Sequence, residues 1–116
     1  MKKLSLKGEG TIAVDLDGTL AEYTEWKGIE HFGKPIPKMI DRVKKWIAEG
    51  RTVVIFTARA EDSKAEKYIK EWLEQQGLGG LKITNIKTKD IVAFYDDRAV
   101  HVEHNTGEIL GKDLEP

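Results

Sequence analysis

Short runs of consecutive apolar residues alternate along this chain with segments in which apolar residues recur every three or four positions. The runs at 11–14, 52–56 and 91–95 are rich in β-branched or aromatic residues and predict three strands buried on both faces. The segments between them predict two amphipathic helices. Their apolar stripes are Met39, Ile40, Val43, Trp46 and Ile47 in the first helix, and Ala65, Tyr68, Ile69, Trp72 and Leu73 in the second.

This order of strands and helices predicts an α/β fold. Because helices that join parallel strands pack on the sheet, we predict a Rossmann-like three-layer sandwich with a mostly parallel sheet and helices on both faces. Only residues 87–90 separate the extended segment 81–86 from the strand at 91–95, whereas a helical crossover needs about a dozen residues. We therefore predict a short edge strand or extended loop at 83–86, and a strand, a turn and a return strand over 100–110.

Residues that favour helix ends mark the limits of both helices. Pro37 suits the first turn of the first helix, and Gly50 ends that helix. Ser63 and Glu66 have the spacing of a capping box, in which each side chain accepts a hydrogen bond from a free backbone N–H. Gly77 ends the second helix, and the polar, glycine-bearing residues 2–10 predict a frayed or edge segment.

Composition restricts the class of protein. The 116 residues form one predicted domain, 1–116, which is long enough to bury a core without disulfides. Cysteine is absent, which excludes thiolate catalysis and cysteine-ligated zinc. A net charge of -1 gives no basic excess for binding nucleic acid or an anionic membrane. Because no apolar run could span a bilayer and the start lacks a signal-peptide pattern, we expect a cytoplasmic protein.

Charged and hydroxyl side chains follow each predicted strand. They are Asp15 and Asp17 after the first strand, Thr57 and Arg59 after the second, and Asp96, Asp97 and Arg98 after the third. Because ligands bind beyond the carboxyl ends of parallel strands, we expect these side chains to converge, with Lys87 close by. Carboxylates suit Mg²⁺, while a hydroxyl and a cation suit a phosphoryl group. The set therefore predicts Mg²⁺-assisted phosphoryl transfer.

The same residues resemble the four motifs of the haloacid dehalogenase-like (HAD) superfamily, whose members are mostly Mg²⁺-dependent phosphatases. The Asp-x-Asp-Gly-Thr motif matches residues 15–19, and a hydrophobic strand ending in a hydroxyl residue matches 53–57. The lysine motif is matched best by Lys87, and the acidic pair after a strand by Asp96 and Asp97. Each motif is short, but four in the family's order, each at a strand end, form a specific pattern across residues 12–100.

The resemblance implies a role for each matched residue. Asp15 attacks phosphorus and forms an aspartyl-phosphate, while Asp17 protonates the leaving oxygen and then takes a proton from the hydrolytic water. Thr57 and nearby backbone N–H groups hold the phosphoryl oxygens, and Lys87 offsets charge between Asp15 and the phosphate. The implied Mg²⁺ ligands are Asp15, the Asp17 backbone carbonyl and Asp96, with Asp97 binding directly or through water.

The acids and the lysine also have simpler explanations. Asp15 and Asp17 alone would fit a cap and a turn, since aspartate and glycine are common in turns. Lys87 competes with Lys82 and Lys89 for the site lysine, because most lysines are simply exposed to solvent. These residues are interpreted as site residues only because the other motifs occur with them in the family's order.

For Arg59 and Trp26, the sequence allows both a role in the site and a structural role. Arg59 could bind a substrate anion or pair with Glu61 or Asp62, and the two interpretations are equally supported. Arg98 is expected to pair with the local acids. Trp26 could stack on a substrate or anchor its segment to the core.

The gaps between the motifs are too short for the cap domain that often covers HAD sites. Residues 20–36, here called the flap, separate the first motif from the first helix. The resemblance thus implies a capless enzyme, with an open site that suits a large substrate or a homo-oligomer in which a second subunit adds a wall. The segment from Lys87 to the acidic pair is also similar to the 5′(3′)-deoxyribonucleotidase branch, which favours a nucleotide substrate.

The combined prediction is a Mg²⁺-dependent phosphomonoesterase that acts on a small phosphomonoester such as a nucleotide. Nucleic acid is not an expected partner, although 3′-phosphorylated ends stay open as substrates. One alternative is a phosphotransferase, because hydrolysis and transfer share the first half-reaction. Another is a non-enzymatic phospho-acceptor like a response-regulator receiver. Receivers place the acidic pair first and the phosphorylated aspartate later, whereas here the Asp-x-Asp motif comes first.

Overall fold

Four parallel strands form the central sheet of the computed structural model, which describes residues 9–114. The strands are β1 (Thr11–Val14), β2 (Thr52–Phe56), β3 (Lys82–Thr84) and β4 (Ile91–Tyr95). They pair in the order β3-β2-β1-β4. The predicted α/β class with a mostly parallel sheet is therefore confirmed, and β3 is the predicted short edge strand. Most of the segment predicted at 2–10 lies outside the described residues.

Two α-helices connect the first three strands. Helix α1 (Pro37–Ala48) starts with the proline predicted for its first turn, and Gly50 beyond its end has a φ of 84°. Two short 3₁₀ turns, Ala58–Glu61 and Ser63–Ala65, precede α2 (Glu66–Gln75). In the part of the chain that the structure describes, no helix has both the length and the apolar composition to cross a membrane.

The capping box predicted at the start of α2 is wrong. Ser63 lies inside a 3₁₀ turn, and α2 begins three residues later, at Glu66. Asp62 caps the 3₁₀ turn that precedes α2, because its carboxylate accepts a hydrogen bond of 2.8 Å from the backbone N–H of Lys64. Helix α2 itself has no side-chain cap. An aspartate one position earlier offers the same acceptor chemistry, so the turn starts there instead.

Both helices pack on one face of the sheet. Their apolar residues share a single core with every second residue of β1 and β2. The core includes Ile12, Val14, Val53 and Ile55 from the strands, and Ile40, Val43, Ile69, Trp72 and Leu73 from the helices. Since β1, β2 and β3 follow one another in one direction across the sheet, right-handed crossovers bring both helices to the same side. Within residues 9–114, the helices thus cover one face rather than the two predicted.

The connection between β3 and β4, whose residues are all exposed, crosses the sheet without a helix. That connection, residues 85–90, runs back across the sheet because β4 pairs on the far side of β1. Ala13 and Val54 are buried on the second face of the sheet, but Phe94 is 37% exposed. Strand β4 is therefore a half-covered edge strand, and the prediction that it is buried on both faces is wrong.

A small hairpin follows β4. Strands β5 (His101–Val102) and β6 (Ile109–Leu110) pair in antiparallel fashion, as predicted for residues 100–110. The turn between them contains Asn105 with a φ of 66° and Gly107 with a φ of 82°. Asparagine and glycine tolerate this left-handed conformation better than other residues, which explains their presence there.

Candidate functional site

Three carboxylates meet at the carboxyl ends of β1 and β4. Because these strands are parallel neighbours and Val14 pairs with Tyr95, the residues that follow them, Asp15 and Asp96, emerge side by side. The Asp15 backbone N–H donates a hydrogen bond of 2.9 Å to the Tyr95 carbonyl and joins the two strand ends. One oxygen from each of Asp15, Asp96 and Asp97 lies within 4.8 Å of the other two. We call these three residues the acid cluster.

The acid cluster has the chemistry of a site for a hard divalent cation. Burial and the negative charge of Asp96 raise the pKa of Asp15 to about 7, and its hydrogen-bonding contact with Asp97 acts in the same direction. A divalent cation would reverse this effect, since it offsets the repulsion between the carboxylates and favours their ionised forms. Oxygen donors of this kind suit Mg²⁺, so the residues present fit the predicted ion.

Thr19 connects the members of the acid cluster, a role that its position in the sequence does not suggest by itself. Its buried hydroxyl oxygen lies 3.3 Å from Asp15 Oδ2 and 3.2 Å from Asp97 Oδ1. The Asp97 backbone N–H donates to the same hydroxyl at 3.1 Å. One side chain thus holds the loop after β4 against the loop after β1.

Gly18 allows this close contact between the two loops. Its φ of 90° lies in the left-handed region, and a Cβ at this position would overlap the Asp97 carboxylate. Only glycine satisfies both conditions without moving the acid. The glycine of the Asp-x-Asp-Gly-Thr motif is therefore needed for the position of an aspartate far away in sequence.

We expect Thr19→Val to lower the free energy of unfolding by about 1–3 kcal/mol, because the Asp97 N–H loses its acceptor. Thr19→Ser retains the hydroxyl and should recover most of the loss. Thr24→Val, at an exposed position in the flap, is the matched control and should change little. Urea denaturation followed by tryptophan fluorescence measures all three. A loss in Thr19→Ser without a loss in Thr19→Val would show that the Thr19 methyl group, and not its hydroxyl, provides the stability.

Thr57 lies where the sequence predicts it, buried just beyond the end of β2. Its backbone N–H donates to the Thr84 carbonyl at 2.9 Å, which fixes it between β2 and β3. Its hydroxyl oxygen accepts a hydrogen bond of 3.1 Å from the Arg59 N–H. Because a hydroxyl also has a proton to donate, Thr57 can still bond to an oxygen in the cavity that it lines.

Arg59 binds Asp17, and not the neighbouring acids of its own turn as one of the two predicted interpretations had it. Its Nε and one terminal nitrogen donate to the two Asp17 carboxylate oxygens at 2.8 and 2.9 Å. It also donates to the carbonyls of Ile29 and His31 in the flap, at 3.3 and 2.7 Å. Four of its five N–H groups are thus engaged and its side chain is 4% exposed. Arg59 is therefore not the open anion-binding group of the other interpretation.

The predicted site lysine, Lys87, lies outside the cavity lining. The Lys87 ammonium is 5.5 Å from the centre of the Phe94 ring, and that ring packs edge-on against Phe56, which lines the cavity. Lys82 lies close to Asp90, at the opposite end of the strands. Hydrogen bonds from Thr11 and Thr88, together with the charge of Lys82, lower the pKa of Asp90. Neither Lys87 nor Lys82 therefore lines the cavity, and Lys87 as the site lysine stays a prediction.

A cavity of about 1000 Å³ brings the predicted residues together. Those that line it are Asp15, Asp17, Thr57, Arg59, Asp96 and Asp97. Tyr23 and Trp26 of the flap also line it and are 45% and 54% exposed. The flap is closed at its base by a bridge between Ala21 and Pro35, and no larger structure covers the cavity within residues 9–114.

Asn85 and Arg98 also line the cavity, as do Ala58 and Glu61. Asn85 was not predicted, although its place just after β3 is the same strand-end position that identified the acids. Arg98 does not pair with the local acids as predicted, because the two ion pairs among residues 9–114 are Arg59–Asp17 and Lys70–Glu66. Its backbone N–H instead donates to Asp96 Oδ1 at 2.8 Å, which fixes the loop after β4 beside the acid cluster.

Comparisons with known proteins support the fold. No family model matches the sequence, and no curated protein gives a significant match. Among solved structures, the chain is similar to a conserved protein from Bacteroides thetaiotaomicron, with a TM-score of 0.62 and 24% identity over 79% of this chain and 78% of that chain. At this level of identity, the similarity extends to the α/β fold and not to an activity.

Proposed function

We propose that this protein is a Mg²⁺-dependent phosphomonoesterase of the HAD type. The observation that carries the proposal is the position of Asp15. Its carboxylate belongs to a cluster of three acids that fits one cation, and it opens into the same cavity as the Thr57 hydroxyl. A nucleophile, a cation site and a donor to phosphoryl oxygens are the parts that phosphoryl transfer requires.

The ion would be held by the acid cluster, together with the backbone carbonyl of Asp17. When bound, Mg²⁺ would offset the negative charge of the carboxylates and of the phosphoryl group. Burial and the charge of Asp96 raise the pKa of Asp15 to about 7, and a bound cation would offset both, because it favours the ionised carboxylate. The bidentate Arg59 contact keeps the Asp17 carboxylate out of the acid cluster, so the two aspartates of the motif can have separate roles.

Catalysis would proceed in two half-reactions at Asp15. In the first, an Asp15 oxygen attacks phosphorus, the ester bond breaks, and Asp17, once it has taken up a proton from solvent and released one of its bonds to Arg59, donates that proton to the leaving alcohol. In the second, water attacks the aspartyl-phosphate, Asp17 takes the proton from that water, and inorganic phosphate leaves. The Thr57 hydroxyl would donate a hydrogen bond to a phosphoryl oxygen in both steps. Arg98, which lines the cavity, and Lys87, which lies outside its lining, are the cations proposed to offset charge on the phosphate.

The open cavity supports a small phosphomonoester as the substrate, with a nucleotide among the candidates. Its volume of about 1000 Å³ admits such a molecule, and the aromatic side chains of Tyr23 and Trp26 line it. The same proposal includes a cytoplasmic location. It also includes a homo-oligomer in which a second subunit adds a wall to the open cavity. The similarity of the HAD motifs supports hydrolysis and transfer equally, because both begin with the aspartyl-phosphate.

The test is turnover of a panel of phosphomonoesters that contains p-nitrophenyl phosphate, nucleoside monophosphates and a 3′-phosphorylated oligonucleotide. We expect release of inorganic phosphate with Mg²⁺ and none with EDTA. Incorporation of oxygen from isotopically labelled water into phosphate would support hydrolysis, whereas formation of a new ester with an added alcohol would support transfer. Stable phosphorylation of Asp15 without turnover would favour the phospho-acceptor alternative, and no reaction with any member would contradict the proposal.

A further inference from the structure

The Arg59 guanidinium joins two parts of the site that are far apart in sequence. It binds both oxygens of Asp17, which lies 42 positions earlier in the loop after β1. The same group donates to two carbonyls of the flap, those of Ile29 and His31. The proposed proton donor and the segment that borders the cavity are therefore held by one side chain.

Aromatic rings fix the plane of this guanidinium. Its central carbon lies 4.2 Å from the centre of the Phe32 ring and 4.9 Å from that of Trp26, both in the flap. Phe32 in turn stacks on Trp72 of α2, with ring centres 5.8 Å apart. A cation enclosed by rings, carbonyls and a carboxylate has little freedom to turn, so its fork determines the direction of the Asp17 oxygens.

We propose that Arg59 is a positioning residue that couples the orientation of the Asp17 carboxylate to the seating of the flap. The inference depends on the proposed role of Asp17 as proton donor. The Arg59 fork occupies both Asp17 oxygens. To protonate a leaving group, Asp17 therefore has to take up a proton and turn one oxygen from Arg59 to the substrate, and the fork fixes the position from which that oxygen turns. Because the remaining N–H groups of the same fork hold the flap, a displaced flap would also displace Asp17.

Arg59→Lys separates this role from simple packing. An ammonium can replace the charge, but it cannot form a bidentate contact with Asp17 and also reach two carbonyls. An alkyl phosphate needs a protonated leaving group, whereas p-nitrophenyl phosphate does not. We therefore expect kcat to fall about 10- to 100-fold further with the alkyl phosphate than with p-nitrophenyl phosphate. Asp17→Asn should show the same selectivity, and the double variant should be little worse than either single one.

Seating of the flap has an independent readout in tryptic cleavage after Lys27, at an exposed position of the flap. We expect both Arg59→Lys and Asp17→Asn to accelerate this cleavage, because coupling between two sites acts in both directions. Arg42→Lys is the matched control, since Arg42 lies on α1 and its side chain contacts Met39 outside the cavity. Its kinetics and its cleavage rate should equal those of the wild type.

The outcomes distinguish this inference from the proposed function. Wild-type protein that hydrolyses neither ester would contradict the proposed function, while the cleavage rates would still report whether Asp17 and the flap are coupled. Equal losses on both esters, or additive losses in the double variant, would overturn the positioning role while hydrolysis stands. If Arg59→Lys fails to fold, unchanged cleavage after Lys27 in Asp17→Asn overturns the coupling by itself.

Discussion

Asp15→Asn should abolish Mg²⁺-dependent hydrolysis of p-nitrophenyl phosphate, with kcat lowered by about a thousandfold or more. The amide cannot form the aspartyl-phosphate, because its nitrogen and its neutral oxygen are poor nucleophiles. It also removes one negative charge from the acid cluster, which weakens the attraction for Mg²⁺. Release of p-nitrophenol over a range of Mg²⁺ concentrations measures both effects.

Two further variants separate the nucleophile from a metal ligand. Asp41→Asn makes the same chemical change at an exposed position of α1 and should leave the activity at the wild-type level. Asp96→Asn weakens the cation site but leaves the nucleophile, so high Mg²⁺ should restore part of its activity. Asp15→Asn should not respond to added Mg²⁺. Full activity in Asp15→Asn would show that Asp15 is not the nucleophile.

The convergence of the acids could be predicted from the sequence because it depends on backbone geometry. Asp15 and Asp96 each follow a run of apolar residues, and parallel neighbours bring their carboxyl ends to one edge of the sheet. Thr57 follows the same rule on β2, and Asn85 would have been found by applying it to the short strand β3. The rule needs only the strand ends, which the apolar runs mark clearly.

The partner of Arg59 could not be predicted because it depends on the path of the flap. Residues 20–36 have no period, so the sequence does not show that the carbonyls of Ile29 and His31 approach the guanidinium. A long arginine side chain next to Glu61 has several acids within reach, and pairing with Asp17 results from the tertiary fold.

The face of the sheet on which the helices lie could not be predicted from the local pattern of apolar residues either. Helical stripes show that a helix is covered, but not on which face of the sheet it lies. That face follows from the strand order, in which β1, β2 and β3 follow one another in one direction and both right-handed crossovers lie on the same side, while β4 returns to pair with β1. The same order leaves the second face to a short connection, which is why apolar residues such as Phe94 are partly exposed.

The stability of the metal-free protein should fall as pH rises between the ordinary pKa of Asp15, 3.8, and its raised value of about 7. Burial and the charge of Asp96 raise this pKa, so within that range the folded protein holds a proton that the unfolded chain has released. Raising the pH therefore favours unfolding, and the loss is complete above the raised pKa. The other shifted carboxyl, that of Asp90, has a pKa lowered by hydrogen bonds from Thr11 and Thr88 and acts below this range.

The difference between wild type and Asp15→Asn isolates this effect from all other titrating groups. Asparagine has the shape of aspartate without its charge, so the variant should be more stable than the wild type above the raised pKa, with Tm higher by about 5 °C or more in EDTA. The two proteins should approach equal stability toward the acid end of the range. Thermal unfolding followed by circular dichroism in EDTA at several pH values measures both curves.

Mg²⁺ should reverse the order of the two proteins above the raised pKa of Asp15. Binding to the folded state alone stabilises the wild type by mass action, whereas the variant has lost a charged ligand and should gain little. The Asp15 carboxylate would then destabilise the fold without the ion and stabilise it with the ion. This is expected of a charged group whose role is to bind the cation and not to stabilise the fold. A wild-type minus Asp15→Asn difference that is constant across this pH range would contradict the raised pKa, and equal stabilisation of both proteins by Mg²⁺ would remove Asp15 from the cation site.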